Sequence, residues 1–116
     1  MKAIHALFLL LSLTLGWAKQ TPRYHEDVAP IFREYCLGCH NERDYDGDLS
    51  METYAAFLEG GESGEPILVK GDPAQSYFLQ TMRHVAKPAM PPRKKPQPSP
   101  VDIELLESWV RAGAPG

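Results

Sequence analysis

Five consecutive residues, Cys36-Leu37-Gly38-Cys39-His40, carry the clearest chemistry in the chain. Two thiols three positions apart can lie on the same side of one helical turn, and an imidazole follows at once. This spacing is the attachment signal for c-type haem. Both thiols can add to the vinyl groups of a single porphyrin, and the histidine then supplies an axial nitrogen to the iron. A redox-active disulfide competes for the same pair, but thioredoxin-like CxxC motifs belong between a strand and a helix. Here a helical pattern precedes the motif. A zinc site would need a second ligand pair, and the chain has only 2 cysteines. The motif therefore predicts one covalent haem c held by Cys36 and Cys39, with His40 as the first axial ligand.

A six-coordinate iron needs a second ligand, and methionine raises the reduction potential relative to a second histidine. Beyond residues 1–18 the candidates are Met51, Met82, Met90, His25 and His84. Met51 and Met82 fall on apolar helical faces, where methionine is most simply a packing residue. His25 precedes the first helix and is expected at the surface. Met90 lies in a stretch that cannot be helical, with Pro88 before it and Pro91-Pro92 directly after. Fixed proline φ angles reduce the entropy lost on ordering such a loop, which suits a weak thioether donor. Met90 is the expected sixth ligand, His84 is its rival, and an open position is the third alternative. Arg93, Lys94 and Lys95 follow Met90 and would place a basic cluster near the haem rim. Ordinary solubilising charge is the alternative reading of that cluster.

The elements that must position these groups are short. Val28, Ile31, Phe32 and Tyr35 recur at helical spacing, and Pro30 is tolerated only in a first turn. A helix is expected from about Asp27 into Cys36, after an extended lead-in over 19–26. Residues 41–50 form a charged loop. Its Glu42, Asp44, Asp46, Gly47 pattern lacks the ligands of a calcium loop at the first and last positions. Met51, Tyr54, Ala55 and Leu58 mark a second helix, stopped by Gly60-Gly61. Ile67-Leu68-Val69 suits a short buried extended piece. Asp72-Pro73 reads as cap and first turn of a third helix lined by Ala74, Phe78, Leu79 and Met82. The segment 87–100 holds six of the 11 prolines. Ser99-Pro100, with Asp102 completing a capping box, begins a last helix. Ile103, Leu106 and Val110 form its stripe, Leu105 and Trp109 flank it, and Gly113 ends it. The fold class is all-α: three to four short helices and long loops wrapped around one cofactor.

Residues 1–18 have the anatomy of a cleaved signal peptide, with Lys2, a leucine-rich run over 7–15 and small residues at Gly16 and Ala18. The apolar run is short for a membrane span. Export fits thioether attachment, and the expected location is the periplasm or beyond. Loss of this leader removes one basic residue and takes the formal charge from −3 to −4, which argues against a nucleic-acid partner. Residues 19–116 then form one domain with a modest core. With both cysteines in the motif, haem rather than a disulfide is expected to staple it.

Several segments carry a family resemblance: Val28-Ala29-Pro30-Ile31-Phe32 before the motif, Leu58-Glu59-Gly60-Gly61, and Val69-Lys70-Gly71-Asp72-Pro73 with Ser76. Met90-Pro91-Pro92, Trp109-Val110 and Gly113-Ala114-Pro115 complete the set. In this order, from Asp27 to Gly116, the chain resembles the planctomycete-type cytochrome c module, versions of which occur beside WD40 β-propellers or larger domains in exported bacterial proteins. The resemblance implies a cytochrome c fold, thioether links at Cys36 and Cys39, and His40 and Met90 as axial ligands. Asn41 departs from it, standing where glycine is common.

The function expected from this sequence is single-electron transfer between protein redox partners by an exported monohaem cytochrome. No substrate-sized ligand is expected, because two axial ligands leave no open iron position, so the chain is not expected to be an enzyme. Two alternatives stand beside it: a haem peroxidase or gas-sensing site with a labile distal methionine, and an accessory domain fused to or docked on a larger exported protein.

Overall fold

The computed structural model describes Gly16 and residues 19–116. The expected signal peptide otherwise lies outside the described residues. Among the described residues there are four α-helices, three shorter helical turns and no strand, as the all-α reading anticipates. No helix among them is long and apolar enough to cross a membrane.

The first helical segment begins earlier than the sequence suggests. A wide turn, Tyr24–Val28, runs directly into α1, Ala29–Tyr35. Its signature is the Ala29 N–H donating to Tyr24 O, five residues back. Pro30 explains the widening, since it lacks an N–H and its ring would crowd the carbonyl four residues before it. The lead-in is therefore helical from Tyr24 onward, and Tyr24 and Val28 are buried.

The second helix, α2, spans only Tyr54–Glu59. The Thr53 side chain accepts from the Ala56 N–H at 3.0 Å, and Gly60 leaves the helix with φ 72°. Because the helix starts at Tyr54, Met51 lies outside it, and the buried residue is Phe57 rather than Leu58. A six-residue helix is not stable alone. Phe57 holds it in place, with its ring centroid 5.1 Å from Phe32 and 5.2 Å from Phe78.

Asp72 caps a separate short turn, Pro73–Gln75, and α3 begins afterwards at Tyr77–Met82. Ser76 separates the two. Its buried hydroxyl accepts from the Val69 N–H at 2.9 Å and lies 2.9 Å from the Asp72 carbonyl. The break leaves Ala74 exposed, while Phe78, Leu79 and Met82 are buried as expected.

The long helix α4, Pro100–Arg111, carries the full capping box, with both Ser99–Asp102 hydrogen bonds at 3.1 Å. A cap of this kind contributes about 1 kcal/mol. Each fully buried apolar side chain contributes about 1.5–3 kcal/mol, so Leu106, Trp109 and Val110 decide that α4 forms and the cap decides where it starts. Trp109 lies inside the stripe and Ile103 at its margin. Trp109, Tyr24 and Tyr54 pack together, and the Trp109 Nε1–H donates to Pro115 O at 2.9 Å. An Arg83–Glu107 ion pair ties the end of α3 to α4. The core therefore has an aromatic centre of its own, more than the modest apolar stripes of the sequence suggest.

Candidate functional site

The backbone of the cysteine motif continues α1 by one turn. The Cys36 N–H donates to Phe32 O at 2.9 Å, and the Cys39 and His40 N–H groups both reach Cys36 O, at 3.3 and 3.0 Å. Cys36, Cys39 and His40 thus face one cavity of about 540 Å³, a size suited to a cofactor. Its walls also include Met51, Ile67, Tyr77, Phe78, Met82, Met90, Pro91 and Pro92.

The two thiols differ. Cys36 is buried, and desolvation pushes its thiol up to about 12, whereas Cys39 is exposed. Burial favours the neutral thiol because the thiolate would lose its water.

His40 is oriented by a contact that nothing in the motif announces. Its Nδ1 lies 2.8 Å from the carbonyl oxygen of Asp46. A carbonyl only accepts, so Nδ1 carries the proton and Nε2 keeps its lone pair free. Metal-ligating histidines are characteristically held in this way, which fixes the tautomer and raises ring basicity. Asp46 itself is tied back to the motif through its N–H to Cys39 O at 3.2 Å. Asn41 organises the intervening turn. Its amide donates to Leu37 O at 2.8 Å and to the Asp44 carboxylate at 3.0 Å, and its oxygen accepts from the Arg43 and Asp44 N–H groups. The Asn41 amide, helped by Arg43, holds the Asp44 carboxyl below its usual range. The departure at Asn41 is thus a turn-forming residue beside the motif.

Three methionines line the cavity, and they are not equivalent. Met51 is buried, and its N–H donates to His40 O at 2.9 Å, so it shares the histidine's wall. Met82 is buried at the end of α3, and Met90 is half-buried nearby. The Met90 N–H donates to Thr81 O at 3.1 Å. The same Thr81 carbonyl accepts the His84 N–H at 3.2 Å. The chain therefore leaves α3 at His84 (φ 61°), loops outward, and returns to its starting point at Met90. His84 is exposed and absent from the cavity lining. The sequence-based rival for the distal position is thus turned away, and Met82 takes its place as the residue to distinguish from Met90.

The returning loop is pinned by side chains the sequence did not single out. The Gln97 amide nitrogen lies 3.1 Å from the carbonyls of Pro91, Pro92 and Lys95, and the Tyr77 hydroxyl donates to Lys87 O at 2.9 Å. Lys95 lines the cavity, and Arg93 and Lys94 are exposed beside it.

Two thiols, an imidazole with a free Nε2, a thioether on a pinned loop and largely apolar walls fit a covalently held haem. The helical fold and this donor set define a small all-α domain of the cytochrome c kind. Residues 36–94, just over half of the chain, match the family described as Planctomycete cytochrome C. The chain belongs to that family, which places it in a haem-binding, electron-transfer class. No curated protein and no solved structure matches it.

Proposed function

We propose that the chain is an exported monohaem c-type cytochrome that passes single electrons between protein partners. In this reading Cys36 and Cys39 form the two thioether bonds, and His40 and Met90 are the axial ligands. Residues 1–18 are a leader that is removed, and residues 19–116 are the working domain, free-standing or docked on a larger exported protein. The observation that carries the proposal is the gathering of these four side chains on one apolar cavity, with His40 already in the tautomer that leaves Nε2 free.

When bound, haem supplies reversible one-electron chemistry at its iron. The chain's own residues do the rest. Asp46 O holds the Nδ1 proton and keeps the imidazole pointed one way. Ile67, Phe78, Met51 and Met82 exclude water from the cavity walls, and a drier site raises the weight of every electrostatic contact. Thr81 O and the Gln97 amide pin the loop that carries Met90; with Met90 as a ligand no exchangeable position would be left for a substrate, which supports a carrier rather than an enzyme. Arg93, Lys94 and Lys95 supply positive charge at the cavity rim for an acidic redox partner.

The test is attachment itself. The double change Cys36→Ser with Cys39→Ser, expressed with haem-ligation machinery, should give a chain whose intact mass lacks haem, against a wild type carrying one. Haem mass retained in the double variant, or two haems on the wild type, would overturn the proposal.

A further inference from the structure

The carbonyl that orients His40 belongs to a loop clamped from its far side. A Cβ built on Gly61 would come 2.6 Å from Gly47 O and 3.2 Å from the Leu49 Cβ. The first distance is one that real Cβ atoms do not show, and the obstacle is backbone, which cannot swing aside as a flexible side chain can. The neighbouring Glu62 N–H donates to that same Gly47 oxygen at 2.8 Å. Gly47 directly follows Asp46, whose own carbonyl receives the His40 Nδ1–H. From the motif side, Cys39 O accepts the Asp46 N–H. Asp46 is thus held between the motif and the Gly61-Glu62 strap, and Asp46, Gly47, Gly61 and Glu62 all line the cavity.

We infer that Gly61 is a positioning residue for His40: by lacking a side chain it lets the Glu62 N–H reach Gly47 O, which fixes the Asp46 carbonyl on Nδ1. The inference rests on His40 being a haem ligand. A carbonyl fixed on Nδ1–H raises the basicity of the ring. A more basic imidazole favours the oxidised iron, so loosening the strap raises the reduction potential and frees the Nδ1 proton to exchange. A merely space-saving role for Gly61 predicts neither change.

The test uses the holoprotein, with potentiometry and NMR exchange of the His40 Nδ1 proton. Gly61→Ala should raise the potential and speed exchange roughly three- to tenfold, the weight of one hydrogen bond. Glu62→Pro removes the strap's N–H and sets its ring Cδ against Gly47 O in that hydrogen's place, so it displaces the strap and should act in the same direction if Gly61→Ala does not fold. Glu62→Gln controls for the lost charge, since it keeps the N–H, so only the excess effect of proline over glutamine counts. Gly71→Ala is the structural control. Gly71 has φ +85° but no heavy atom within 4 Å of a built Cβ, and its N–H donates to Val110 O away from the strap, so alanine there strains the backbone and should lower Tm while leaving potential and exchange unchanged. Potential and exchange unmoved in Glu62→Pro relative to Glu62→Gln would overturn the inference, as would Gly71→Ala moving them equally. A His40→Ala variant that keeps a low-spin, axially ligated haem spectrum would instead remove the ligand assignment beneath it.

Discussion

Replacing Met90 and Met82 separately by alanine divides ligation from packing. Both side chains line the cavity and both sit next to Thr81, so position alone does not rank them. Burial and backbone do. Met82 is 7% exposed at the end of α3 and belongs to the continuous core, whereas Met90 is half-buried on a loop tied down by its own N–H to Thr81 O and by Gln97 and Tyr77. Truncating a buried methionine costs about 2–5 kcal/mol. At ~4–8 °C per kcal/mol for a domain of this size, Met82→Ala should lower Tm on the order of 10–30 °C and leave the ligand-field spectrum intact. Met90→Ala truncates a half-buried side chain and loses less, about 1 kcal/mol of packing. Its larger effect should be spectroscopic: loss of the weak methionine-to-iron absorption, a lower potential and carbon monoxide binding in the ferrous state. Thermal melts and carbon monoxide difference spectra on the same preparations check both halves. Carbon monoxide binding in Met82→Ala with none in Met90→Ala would reverse the assignment. Opening of the site by His84→Ala would refute the orientation argument altogether, and ready binding by the wild type would favour a gas-reactive site.

Two further outcomes follow from burial and charge. In the chain made without haem, alkylation at pH 8 should modify exposed Cys39 before buried Cys36, as peptide mapping would read; equal rates would mean that the aromatic core does not hold without the cofactor. The raised Cys36 thiol also contributes stability to this form that is intact below about pH 9 and is lost as pH climbs toward about 12, because the unfolded chain releases that proton first. Neutralising Arg93, Lys94 and Lys95 together should slow electron transfer to an acidic partner, most strongly at low ionic strength where screening is weak; equal rates at low salt would leave the cluster a solubility feature.

The parts of the fold legible in the sequence are those whose signals are local. Ser99, Pro100 and Asp102 state the start of α4 in four residues, and the structure forms both hydrogen bonds of that box. Where partners come from elsewhere, the pattern misleads. Leu58 has the right spacing for burial, but Phe57 fills the gap between Phe32 and Phe78 and turns α2 accordingly. Trp109 looks like a flank of the α4 stripe, yet it is fully buried against Tyr24 and Tyr54, and Ile103 moves to the margin. Pro30 limits where α1 can begin only if the turn before it is regular; a wider turn lets the helix start at Tyr24. Asp72-Pro73 is a genuine cap, but Ser76 ends its turn before α3 starts.

The site divides along the same line. Cys36, Cys39 and His40 lie within five consecutive residues, so one helical turn brings them together and sequence spacing suffices to find them. The groups that aim them are not contiguous: Asp46 acts through its carbonyl, which carries no trace in its residue type, and Gly61 through the absence of a side chain. His84 and Met90 show why proximity in sequence misjudges the distal wall. Both amides end on the Thr81 carbonyl, so the residues between them form an excursion that begins and ends at one atom. A residue leaving that point on a left-handed turn faces solvent, and one returning to it faces the cavity. The aromatic cluster makes this arrangement firm, because Phe78 packs on Phe32 and Phe57 with one edge and lines the cavity with the other. The cavity wall is therefore the outer surface of the core. Disturbing the core at Phe78 should consequently unsettle both the Thr81 anchor, whose hydroxyl donates to Phe78 O at 2.8 Å, and the loop that carries Met90.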